Sequence, residues 1–203
     1  MKTRPDFSML NNFFLILLLT PFTLLSAQDK DTIITLEGDT IFGVMDYFEH
    51  RQREAVATYE GASPTLFQAP DIDGDNHFLH EYIGKVVILQ FFSIYSEPGL
   101  RQIPSLNRLI DEYGQQGLMI LGMADNEEAD LRRFRERWPV GYPLVPNSSD
   151  LGHKAYAADI GYPRIFIIDR SGIIRKLRVG NSADNEMALY EDILPLVRAY
   201  LKE

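Results

Sequence analysis

The spacing of apolar positions changes along the chain, and each change marks a predicted element. Val86-Val87-Ile88-Leu89-Gln90-Phe91-Phe92 is an almost unbroken apolar run, as a strand buried on both faces requires. Ile103, Leu106, Leu109 and Ile110 then recur at helical spacing and end near Gly114 and Gly117. Leu118 to Met123 reads as a second central strand. Glu127 to Trp138 reads as a charged amphipathic helix with Leu131 and Phe134 on its apolar side, and Asp150 to Ala158 as a short helix. Arg164–Ile168 and Ile173–Val179 flank Asp169-Arg170-Ser171-Gly172, a short Gly-containing link that predicts an antiparallel hairpin. Glu186 to Lys202 closes the chain as a helix that Pro195 can kink or restart.

The upstream third is patterned differently. Lys2 and Arg4 precede an apolar run from Phe13 to Leu25, followed by Ser26-Ala27-Gln28. A charged start, an apolar stretch and a small-residue exit read as a secretory signal, residues 1–27. The run is too short to span a bilayer and Pro21 interrupts it. Residues 28–62 form an extension. In it Thr32–Leu36 and Thr40–Met45 flank Glu37-Gly38-Asp39 as a β-hairpin, and polar Glu49–Tyr59 is a candidate helix. Gly61-Ala62-Ser63-Pro64 punctuates the chain, which places the main domain at 63–203. Strand, helix, strand, helix, hairpin and closing helix make a mixed α/β sheet with helices on both faces.

Charge and composition narrow the function. The formal net charge is -9, so the chain repels phosphate backbones and anionic lipid, and nucleic acid is not an expected partner. After signal cleavage no stable membrane insertion is expected. The chain holds no cysteine, which excludes disulfides, thiolate nucleophiles, thiolate metal ligands and a lipoprotein anchor. Asp71, Asp73, Asp75, His77 and His80 could gather a cation if the two histidines shared a helical face. The preferred reading is a polar turn entering a short helix, with no metal and no cofactor.

Residues 66 to 180 resemble thioredoxin-like proteins of the TlpA/ResA and AhpC/TSA group. Ala69-Pro70-Asp71 with Asp73-Gly74 is similar to their entry segment, and Gly84-Lys85-Val86-Val87 to the start of their first central strand. Tyr95-Ser96-Glu97-Pro98-Gly99, followed by Pro104-Ser105-Leu106-Asn107, stands where they carry the active-site turn and helix. Gly161-Tyr162-Pro163, followed by Phe166-Ile167-Ile168-Asp169 and Gly172, is similar to their cis-proline segment and terminal hairpin. The resemblance implies a thioredoxin-like fold with a small N-terminal hairpin extension.

It also implies thiol chemistry that the residues do not supply. In the family a Cys-x-x-Cys heads the helix, and the helix start lowers the first thiol's pKa. Those two positions here are Ser96 and Gly99, and the family's proton-handling acid is Gln102. Ser96 is expected to serve as a helix N-cap through its hydroxyl. A serine nucleophile would need an oriented base, and His153 is the only histidine downstream. The expectation is therefore an exported periplasmic or extracellular module without catalytic residues. Tyr95 to Gly99, Gln102, Tyr162 and Pro163 would form a surface for an envelope protein or an extended peptide. The alternatives are an oxidoreductase by family assignment, a non-thiol enzyme in the same cleft, or an assembly role for residues 32–60. The arginines of 132–137 read as a solvated, ion-paired face, and Trp138 as packed on the core.

Overall fold

A computed structural model describes residues 32–34, 40–42, 44–157, 160–180 and 187–203. The segment read as a signal, the turn at 37–39, Ala158 at the end of the expected short helix and Glu186 at the start of the expected closing helix lie outside this set. The chain divides into two units, residues 1–48 and 49–203. In the first, β1 (Thr32–Ile34) pairs antiparallel with β2 (Thr40–Phe42). Helix α1 runs from Val44 to Tyr59, and its later turns bring Ala55, Val56 and Tyr59 into the core of the second unit.

In that second unit, β3 (Gln68–Pro70) and β4 (Asn76–Phe78) form a small antiparallel hairpin, followed by a 3-10 turn at Leu79–Tyr82. After it come β5 (Val86–Phe92), α2 (Glu97–Leu100), α3 (Ile103–Tyr113), β6 (Leu118–Ala124) and α4 (Glu128–Arg135). The chain continues with β7 (Leu144–Val145), α5 (Ser149–Ala155), β8 (Arg164–Ile168), β9 (Ile174–Val179) and α6 (Ala188–Leu201). The main sheet has the order β7-β6-β5-β8-β9. β5 pairs parallel with β6 and antiparallel with β8. This is the thioredoxin-like arrangement.

Alternation along β5 sorts the core into two layers, because successive side chains point to opposite faces. Val86, Ile88 and Phe92 pack with Leu106 and Leu109 of α3 and Ile193 and Val197 of α6. Val87, Leu89 and Phe91 pack on the other face with Phe166, Tyr156 and Leu177. All seven residues of β5 are buried. Pro195 lies inside α6 without ending it.

Candidate functional site

The turn after β5 is shaped by side chains that answer its backbone. Asn126 Oδ1 accepts the Ile94 amide at 2.9 Å, Ser93 Oγ the Tyr95 amide at 3.3 Å, and the Ser93 carbonyl the Ser96 amide at 3.1 Å. Helix α2 then begins with Ser96 in the extended N-cap conformation. Its hydroxyl makes no capping bond, which corrects the expected role. The reason is local: an N-cap side chain needs the second or third amide. Pro98 has none, and the Gly99 amide already donates to the Ser96 carbonyl at 2.9 Å.

Gly99 is buried, and a Cβ there would sit 3.2 Å from Phe92 Cβ. Little room is left for a side chain at this position. Glu97 receives Arg101 Nη2 at 2.6 Å on the surface. Tyr95 is 78 % exposed, with its hydroxyl 3.4 Å from Asp130 Oδ2 on α4.

Beneath the turn lies a chain of buried amides. Gln90, on the α3 face of β5, donates from Nε2 to the Gly99 carbonyl and to Gln102 Oε1, both at 3.2 Å. Its Oε1 accepts the Tyr142 hydroxyl at 2.8 Å. Gln102 Nε2 reaches the Gly180 carbonyl at 3.1 Å, and the Gly180 amide donates to the Pro163 carbonyl at 2.8 Å. This path brings Gly99, Gln102 and the Tyr162–Pro163 segment together, and the Tyr162–Pro163 bond is cis. Half-buried Tyr162 faces the Arg164 guanidinium, 4.7 Å from its ring centre. Burial pushes the Tyr142 phenol well above its ordinary range, so no member of the amide chain exchanges a proton near neutral pH.

Other expected residues lie apart from this cluster. The Ser96 hydroxyl has no hydrogen bond to any described residue, and His153 is exposed on α5. His77 is not helical. It sits on β4, with Nε2 2.9 Å from Asp71 Oδ2 and Nδ1 2.6 Å from the Tyr82 hydroxyl. A neutral ring satisfies both, donating to Asp71 and accepting from Tyr82. Asp73 instead binds Arg135 through both oxygens, at 2.5 and 2.7 Å. Trp138 stacks on Phe134 yet stays 44 % exposed, because α4 ends before carrying it inward. Gln90, Asn126 and Tyr142 were not singled out by sequence. Only Gln90 left a signal, as the lone polar residue of a strand buried on both sides, where a polar group must find partners.

The sequence model of the AhpC/TSA family matches residues 61–177. "Thiol-disulfide oxidoreductase ResA" of Geobacillus thermodenitrificans is 30% identical over 144 residues, spanning 70% of this chain and 82% of that protein. "Thioredoxin-like protein YneN" of Bacillus subtilis is 24% identical over 161 residues, spanning 76% of this chain and 90% of that protein. Among solved structures, a thiol:disulfide interchange protein, thioredoxin family protein, from Chlorobium tepidum superposes with a TM-score of 0.58 at 19% identity. That match covers 70% of this chain and 97% of the other and bears on the fold. The expectation of a non-catalytic binding module is overturned by the relative that is 30% identical, which is named a thiol-disulfide oxidoreductase.

Proposed function

The chain belongs to the AhpC/TSA family and is thioredoxin-like of the TlpA/ResA type, and on that basis we propose that it is an exported protein of the thiol–disulfide oxidoreductase class in which Ser96 and Gly99 occupy the two sulfur positions of the exchange site. The observation that carries this reading is the path from Gly99 through Gln90 and Gln102 to Gly180 and Pro163. It holds the turn beside the proline segment in a chain 30% identical to a named thiol-disulfide oxidoreductase.

Exchange begins when a thiolate attacks a disulfide sulfur and ends when a second thiol releases the mixed disulfide. With no cysteine in the sequence, neither step can run on this chain's own side chains. What the chain retains is the positioning: a turn pinned by Ser93 and Asn126, a helix start, and the adjoining segment. The signal pattern at residues 1–27 supports export, and the intact mass of the envelope-recovered protein checks cleavage after Ala27.

The site reading is tested by returning sulfur. Ser96→Cys alone should give a thiol that reacts with Ellman's reagent faster than the same thiol in urea. Ser96→Cys/Gly99→Cys should accelerate insulin reduction by dithiothreitol, while the unaltered protein stays at the reagent's own rate. A folded double variant that does no better than the unaltered protein, with a Ser96→Cys thiol no faster than unfolded, would overturn the assignment of this turn.

A further inference from the structure

At the other end of β5 the second unit holds a cavity of about 450 Å³. It lies between the 63–66 segment, the 3-10 turn at 79–82 and the β8–β9 link. Val87 is part of its lining and Phe92 adjoins the exchange turn, so the two sites stand about 17 Å apart along the strand. Small-molecule sites have this order of volume and are mostly apolar with a few polar groups. Here Leu79, Val87 and Ile168 form a buried floor, while Leu66 and Ile83, 64% and 62% exposed, stand in its wall.

The polar groups of the lining decide what fits. Asp169 is the acidic residue in it, and its carboxylate already accepts three hydrogen bonds. Oδ1 accepts the Ser171 and Ile173 amides, each at 2.9 Å, and Oδ2 accepts Arg175 Nε at 2.5 Å. A cationic ligand would have to displace Arg175, and an anionic one would find this carboxylate and no Lys or Arg in the lining. In contrast, the side chains of Ser63, Ser171 and His80 make no hydrogen bond to any described residue. Each can both donate and accept. We propose that the cavity binds a neutral, mainly apolar small molecule carrying one or two hydrogen-bonding groups, at a site separate from the exchange turn.

The test uses the mature chain and N-phenyl-1-naphthylamine, a neutral probe whose emission rises in apolar surroundings. Saturable binding of one probe per chain is expected. The sulfonated relative 1-anilinonaphthalene-8-sulfonate should bind at least tenfold more weakly. Leu66→Asp and Ile83→Asp change exposed positions and should each weaken the neutral probe about tenfold without altering circular dichroism. Ser63→Trp, at the exposed mouth, gives an independent block, and Tyr95→Ala should leave binding unchanged. Absent saturation, equal affinity for the two probes, indifference to all three cavity substitutions, or loss with Tyr95→Ala would overturn the proposal. So would a concentration-dependent dimer in sedimentation that Ile83→Asp dissolves, since a second copy would then be the occupant.

Discussion

A methyl group at Gly122 would lie 2.7 Å from Leu144 Cδ2 and 3.1 Å from the Tyr142 ring. Both neighbours are buried, so neither yields freely, and Gly122→Ala should lower stability by about 1–3 kcal/mol in urea unfolding. Tyr142→Phe acts on the same region by a different route. It leaves Gln90 Oε1 buried without its donor, a loss of about 1–3 kcal/mol. Asp169 contributes to the acid limb. Burial works against its charge, but the Ile173 amide, Arg175 and the Ser171 amide outweigh that, and its carboxyl sits below the ordinary 3.8. Asp71 is likewise lowered: burial opposes its charge, but His77 and the amides of Asp73 and Asp75 prevail. A depressed folded-state pKa gives stability that is present above the unfolded value and lost as pH falls through the folded one. Asp169→Asn should therefore reduce the midpoint of thermal unfolding at neutral pH and flatten its fall below pH 3.8. The change at 96 and 99 was plain from composition, since a missing atom type is visible without coordinates. The amide chain beneath was not, because Gln90, Gln102 and Tyr142 are far apart in sequence and meet only once the sheet is built.

Among elements, the long ones announced themselves. β5 appears with its expected bounds, and β6, β8 and α3 lie within a residue of theirs, because seven residues of strand or three turns of helix carry a readable period. β3, β4 and β7 have three residues or fewer, too few to show any period. They exist because their partners exist. β9 closes one side of the sheet, and its outer edge is covered from α1's end. The Gly61 amide donates to the Ile174 carbonyl, the Ile174 amide to the Ala62 carbonyl, and the Leu177 amide to Glu60 Oε1 at 3.1 Å. Glu60 also pairs with Lys176 at 3.3 Å. An uncovered edge strand invites pairing with another chain. Glu60→Ala should thus raise the aggregation rate in light scattering on mild heating and lower the thermal midpoint. In α6, Pro195 deprives the Glu191 carbonyl of its helical donor. Since the position is exposed, Pro195→Ala should stabilise the protein by about 1–3 kcal/mol.

At the scale of the whole molecule, order of elements and absence of sulfur carry different messages. The order is enough to identify the fold, because alternating buried strands and amphipathic helices have few ways to form one sheet. The absence removes any covalent cross-link, so the thermal midpoint should be the same in dithiothreitol and in oxidised glutathione. A shift between the two would mean that something other than this chain holds the fold. The main functional expectation, a non-catalytic binding module, did not stand, and the oxidoreductase class was legible only as the alternative by family assignment, since the family match runs over residues 61–177 while a reaction depends on a few atoms in one turn. Among the described residues no helix is long and apolar enough to cross a membrane.

A Cβ added at Gly99 would lie 3.2 Å from Phe92 Cβ, so Phe92 must give by a few tenths of an ångström to admit any side chain there. A thiol placed at that position would meet a crowded Phe92 and two glutamines unable to relay a proton. The turn thus admits one thiol more readily than two, since position 96 is partly open while position 99 is hemmed in by its neighbours.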